Sequence, residues 1–331
     1  GRMFPLSLAS EGSARIGGLL GTNAGGVAVL RYGNARDLCL GIEAVLADGT
    51  ILGGLGRLVK NNMGYDLRNL LIGSEGTLGV IVRATVQLVA DAPERAMVAL
   101  GYPTMPDAGD DISRLLQFSP TACEGLDRRI VDVVVAKNGP DSVGVLPAGD
   151  GWMFLEVVGN DPAEVRARAE AIVEASAAKE GWVVDDPVRA AQLWKIRADG
   201  AGLAGVSLDE PAYGGWEDAA VPPQNLGAYL REFDALLERH GLHGLPYGHF
   251  GDGCVHCRID FPLTAPDGAE RYKTFVEEAA RLVARFGGSM SGEHGDGRAR
   301  SALLERMYSP AALNLFAQVK ALFDPGDLLN P

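Results

Sequence analysis

The chain has 331 residues, 47% of them hydrophobic and 22% charged, enough for two domains that each bury a sizeable core. A formal net charge of −13 without any lysine- or arginine-rich block excludes a nucleic-acid partner, because that contact needs a basic face. No apolar run reaches the roughly 18 residues that span a bilayer. No signal peptide is read at the start, and four scattered cysteines do not make a disulfide framework, so a reducing, cytoplasmic setting is expected.

Residues 16–26, IGGLLGTNAGG, carry five glycines. That density lets a backbone adopt positive φ and approach a flat or charged ligand closely, although a plain connecting loop would look the same. An Asp48-Gly49 turn between β-favouring runs predicts a hairpin. A second glycine turn, 72–76, precedes an alternating apolar strand over 78–89. Strands without long helices between them predict an α+β sheet here. The composition shifts at 91–94, which marks a boundary. Beyond it, strands are predicted at 96–102, 130–136 and 152–158. Amphipathic helices are predicted at 162–179 (Asp161 as N-cap and Pro162 in the first turn), 223–240, 269–286 and 310–323. Their alternation predicts a second sheet layered with helices. The chain opens as a loop and stops just after a helix, at Asn330-Pro331, so it reads as a piece of something longer.

Two stretches concentrate chemistry. YGHFGDGCVHCR, residues 247–258, places His249 and His256 on either side of a Gly-Asp-Gly turn, and SGEHGDGRARS sets Glu293 and His294 before another. Two imidazoles and a carboxylate are a common ligand set for a divalent metal such as zinc or manganese. The preferred division puts His249, His256 and Glu293 on the metal and leaves His294 as general base. If a strand starts at Cys254, then Cys254 and His256 share a face and Cys257 points away, which argues against a redox or zinc CxxC pair. Asp252 reads as a turn-former or an orienter of a ligating imidazole. Arg197, in LWKIR, reads either as a solvated arginine or as a bidentate clamp on a substrate carboxylate, and Arg298 and Arg300 as surface or helix-start residues.

Taken in order, IGGLLGTNAGG with RYG, NNMGYDLRNLLIGSEGTLGVI, LWKIR, HFGDGCVH, SGEHGDG and LFDPGDLLNP resemble the vanillyl-alcohol-oxidase-type flavoproteins. The likeness is to the FAD-linked D-2-hydroxyacid dehydrogenases: D-lactate dehydrogenase, D-2-hydroxyglutarate dehydrogenase and the glycolate oxidase flavin subunit. The resemblance implies an α+β fold in three parts: residues 1–92 as the second part of a FAD-binding sheet domain, 93–290 as a substrate (cap) domain, and 291–331 as a helical return that completes the active site. By matching positions it implies FAD contacts from Ser13, Gly17, Gly18, Thr22, Asn23, Gly25, Gly26, Glu75, Gly79 and Ile81, with Asn330 near the flavin ring. It also implies His249, His256 and Glu293 as metal ligands, His294 as the base and Arg197 as the arginine on the substrate carboxylate. The implied reaction oxidises a D-2-hydroxy acid of the D-lactate, D-2-hydroxyglutarate or glycolate type to the 2-oxo acid, with hydride passing to flavin N5.

Departures from the family pattern qualify these expectations. The N-terminal FAD subdomain is not in this sequence, so weak or no FAD binding by the chain as given is one expectation. Cys254 stands where the hydroxyglutarate enzymes have asparagine, and no second, lysine anchor is found near Trp216. The form GEHGDGRARS is similar to large bacterial members with an iron–sulfur domain, so an iron–sulfur cluster in a further C-terminal domain, a quinone or an electron-transfer flavoprotein are all open as acceptor. Peripheral association with a membrane also stays open. A metal hydrolase built on His249, His256 and Glu293 and an inactive fragment of the flavoenzyme are the alternatives; the glycine loops argue against the hydrolase.

Overall fold

The computed structural model describes residues 1–8, 10–203, 205, 211–214, 216 and 218–331, without the side chain of residue 201. The chain divides into two units, Gly1–Asp91 with Glu293–Pro331, and Ala92–Gly292. Both mix helices with antiparallel sheets, so the fold is α+β. Among the described residues no helix is long and apolar enough to cross a membrane.

The first unit begins with β1 (Arg2–Met3), α1 (Ile16–Gly21), α2 (Val29–Tyr32), β2 (Cys39–Val45), β3 (Ile51–Gly54), α3 (Leu67–Leu71), β4 (Val80–Val86) and β5 (Val89–Ala90). The order β3-β2-β4 makes a three-stranded sheet, and β1 pairs with β5. The predicted hairpin is β2–β3: Asp48 accepts from the Thr50 amide at 2.9 Å, and Gly49 takes φ 85°. Leu20 from α1, Ile42 and Ala44 from β2, and Leu71 and Ile72 form its core.

The second unit runs through β6 (Glu94–Tyr102), α4 (Met105–Leu115), β7 (Ala122–Asp127), α5 (Arg128–Asn138), β8 (Gly151–Gly159), α6 (Pro162–Ala175), β9 (Glu180–Val184), α7 (Pro187–Leu203), β10 (Ala219–Ala220), α8 (Leu226–Arg239), β11 (Gly244–Gly248), β12 (Cys254–Ile259) and α9 (Gly268–Arg285). Its seven-stranded sheet has the order β10-β12-β11-β7-β8-β6-β9. The strand predicted at 130–136 is instead the helix α5. Asp127 caps it by accepting from the Arg129 amide, and Ile130, Val131, Val133 and Val134 are buried with Leu193 and Ile196 of α7. The helix begun at Pro162 stops at Ala175 rather than at 179, because Ser176 is extended. The chain then returns to the first unit with α10 (Gly297–Arg300) and α11 (Pro310–Phe323), whose Val319 and Phe323 pack against that unit's core. Of the two readings offered for Arg300, surface or helix-start, the surface one falls: it lies in α10, buried, with Nη1 on the Gly295 carbonyl.

Candidate functional site

In the second unit the register of three strands assembles the histidines. Gly248 of β11 lies opposite Gly125 of β7, and Tyr247 lies opposite His256 of β12. One residue beyond the first pair, His249 meets Glu124: Nδ1 lies 2.6 Å from Oε1. On the other side of β12, Ala219 lies opposite Val255, and Asp218 brings a carboxylate oxygen within 4.8 Å of a His256 ring nitrogen. The two imidazoles, both buried, stand edge-on with centroids 5.2 Å apart. His249 is thus backed by a buried acid from β7, the usual outer support of a metal-ligating imidazole, whereas Asp218 offers an oxygen beside His256 that could itself share a cation with it.

Arg197 projects from α7 and donates from Nε to Glu124 Oε2 at 2.7 Å. Its guanidinium lies over the Tyr247 ring, 5.3 Å from the centroid, and Nη2 is 3.4 Å from His249 Nε2. It is only 14% exposed, which removes the solvated reading. Burial works to raise the Glu124 carboxyl, but the charges of His249 and Arg197 and their hydrogen bonds outweigh it and hold the group below the ordinary range. Asp218 accepts from the Ser291 hydroxyl at 2.6 Å, and its carbonyl accepts from the Gly292 amide at 2.8 Å. Cys254 and Cys257 are both buried and make no disulfide, and burial pushes the Cys257 thiol up, which is not the exposed, low-pKa character of a redox pair. Asp252 sits in the 3-10 turn between β11 and β12, as the sequence suggests.

In the first unit, Glu293 Oε2 accepts from the Gly26 amide at 3.0 Å, and Oε1 lies 3.7 Å from Nε2 of the partly exposed His294. The glycines predicted to cradle a cofactor divide in two. Gly17 packs against the Ile81 carbonyl of β4, Gly25 against Asn34 and Glu293, Gly26 against the Ser7 carbonyl, and Gly79 against Val45 and Leu46. Gly18, by contrast, has nothing within 4 Å of where its Cβ would stand, and the same holds for Gly21 at the end of α1. Ser13 and Thr22 turn their hydroxyls onto the Ser10 and Gly18 carbonyls, and Asn23 accepts from the Arg36 amide. Glu75 accepts from the Asp296 and Gly297 amides at 2.6 and 2.9 Å, while its carbonyl takes the Asn330 side-chain amide at 2.9 Å.

Sequence reasoning missed Glu124 and Asp218. The signal for Glu124 was a lone acid inside the otherwise uncharged run TACEGL; Asp218 gave none, since its role comes from the pairing of a two-residue strand.

Two family models match the chain: "FAD linked oxidases, C-terminal domain" over residues 92–331 and "FAD binding domain" over residues 1–53. The chain is 34% identical to a D-lactate dehydrogenase of Archaeoglobus fulgidus, a match that covers 100% of this chain and 72% of that protein. It is 33% identical to a probable mitochondrial D-lactate dehydrogenase of Danio rerio, covering 100% and 66%. Identity to a mitochondrial D-2-hydroxyglutarate dehydrogenase of Bos taurus is also 33%, covering 100% and 60%, so the chain spans about two thirds of the length of these relatives. Among solved structures, p-cresol methylhydroxylase superposes with a TM-score of 0.66 at 15% identity, over 94% of this chain and 67% of that one. An alkyldihydroxyacetonephosphate synthase superposes with a TM-score of 0.65 at 16% identity, over 100% and 60%. These likenesses are of fold alone.

Proposed function

This chain belongs to the FAD-linked oxidases, and from that membership we propose that it is part of an enzyme that oxidises a D-2-hydroxy acid, of the D-lactate, D-2-hydroxyglutarate or glycolate type, to the 2-oxo acid. The observation that carries the reading is the buried pair of imidazoles, His249 held by Glu124 and His256 beside it, in a chain similar along its whole length to D-2-hydroxyacid dehydrogenases. Bound FAD would supply the acceptor for the hydride that leaves the substrate Cα. A bound divalent cation, zinc or manganese, would supply the Lewis acid that polarises the substrate hydroxyl and carboxylate.

On this proposal His249 and His256 hold the cation with Glu293, which follows Gly292 directly in the chain. Arg197 binds the substrate carboxylate, and its fixed fork suits a planar two-oxygen group. His294 removes the hydroxyl proton, a task suited to an imidazole near neutral pH. The first unit is assigned to FAD, with the open backbone at Gly18 as its nearest approach and Ser13, Gly17, Thr22, Asn23, Gly25, Gly26, Glu75, Gly79, Ile81 and Asn330 as further contacts or supports. Glu75 is cast as a support, because both of its oxygens already hold backbone amides. Residues 92–292 form the substrate (cap) part. A quinone, an electron-transfer flavoprotein or an iron–sulfur domain would carry the electrons onward, in a cytoplasmic setting.

Reduction of an artificial dye by the complete protein with D-lactate, D-2-hydroxyglutarate and glycolate tests the activity. His294→Ala should lower kcat by roughly 10²-fold or more while flavin absorbance is retained. An active variant would remove His294 as base, and a colourless protein that gains no flavin from added FAD would overturn the flavin reading itself.

A further inference from the structure

We propose that Glu124 is the positioning residue of the site: one buried carboxylate fixes both the tautomer of His249 and the orientation of Arg197, and so ties cation binding to carboxylate binding. The proposal rests on the ligand and substrate roles assigned above. Glu124 is fully buried in β7, a six-residue strand that is buried throughout. A carboxylate taken out of water is costly unless its oxygens are used, and here both are: Oε1 on His249 Nδ1 and Oε2 on Arg197 Nε.

An ionised carboxylate only accepts hydrogen bonds, so Nδ1 of His249 carries a proton, and when the ring is neutral its lone pair is on Nε2. Nε2 is then the atom that can ligate a cation. It is also the atom 3.4 Å from Arg197 Nη2, a long contact that a cation on Nε2 would replace. With Nε2 so occupied, Nη2 of Arg197 would be left for a substrate carboxylate, while Oε2 keeps Nε in place. Nothing but a carboxylate does both jobs. In Glu124→Gln the amide must face one of its two donors with its own NH₂. In Glu124→Asp the charge stays, but the reach shortens by one methylene, so both contacts cannot be kept.

A merely structural ion pair would affect stability and leave the imidazole and the cation untouched, which gives the test. In the metal-free complete protein, ¹H–¹⁵N correlation of the histidine rings should show His249 protonated on Nδ1, and above the pH at which the ring is neutral on Nδ1 alone; a neutral ring protonated on Nε2 overturns the proposal, whatever any variant does. Titration with Zn²⁺ should show affinity lost in His249→Ala and lowered about 10–100-fold in both Glu124→Gln and Glu124→Asp. Steady-state assays of the two Glu124 variants at saturating Zn²⁺ should show the remaining defect mainly in KM for D-lactate. If His249→Ala abolishes Zn²⁺ binding while Glu124→Gln and Glu124→Asp bind as wild type, Glu124 loses its role and the cation site stands. If the wild-type protein takes up no Zn²⁺, the cation reading and this proposal fall together. Should Glu124→Gln not fold, the wild-type tautomer and the Asp variant decide.

Discussion

Glu75 uses its entire carboxylate inside the protein, on the Asp296 and Gly297 amides, and this makes its neighbour Gly295 hard to replace. Gly295 has φ 82°, and a Cβ there would run into the Glu75 carboxylate, which cannot step aside without dropping both amides. Gly49 has a similar φ, 85°, but nothing within 4 Å of its missing Cβ. The two positions separate backbone strain from collision. Gly49→Ala should cost about 1 kcal/mol, the left-handed penalty alone. Gly295→Ala should cost about 3 kcal/mol, because overpacking adds to it. Urea unfolding followed by hydrogen exchange in the β2–β4 sheet would check this, and equal costs would show that Glu75 moves freely. The sequence displays the motif Gly-Asp-Gly after His294 but not this reason for it, since Glu75 is more than two hundred residues away. Glu124 was hidden for the same cause: its partners come from α7 and from the end of β11, and only the fold joins them.

Among elements, turn residues made β2–β3 legible, and proline with a capping acid made the start of α6 legible, because both signals act within a few residues. The run IVDVVVA was misread as a strand because β-branched residues fit a pleated surface well. Its four buried positions fall on one helical face against α7, and tertiary packing with the Asp127 cap overrides the propensity. The end of α11 yields a pH prediction. Burial acts to raise the Asp324 carboxyl, but the ion pair with Lys320 and the Leu328 and Leu329 amides hold it at about 2, below its usual 3.8. A depressed folded-state pKa gives a contribution that is complete above about pH 4 and is lost as pH falls through about 2. The amide resonances of Leu328 and Leu329 should therefore hold their shifts down to about pH 3 and move with a midpoint near 2. A midpoint at 3.8 would mean that the cap does not hold in solution.

At the scale of the molecule, the first unit is discontinuous in sequence and the second is not. The histidine motifs and the flavoprotein resemblance could be read because short, dense patterns carry them. That residues 1–91 need the last segment could not, because the dependence is spread over single contacts. Glu293 holds the Gly26 amide, Asp296 and Gly297 hold Glu75, Lys320 donates to the Thr77 carbonyl at 3.1 Å, and Val319 and Phe323 cover part of the core. Burying two such side chains contributes about 3 kcal/mol, since both are only partly covered. The hydrogen bonds add about 1 kcal/mol each, which brings the sum into the range of a whole domain's net stability. Residues 92–292 have a core of their own, from Leu126 and Phe154 to Leu193 and Leu245. A chain ending at 292 should accordingly lose hydrogen-exchange protection in β2 and β4 while β6, β7 and β8 keep theirs. Retained protection in β2 and β4 would show that the first 91 residues hold their fold unaided.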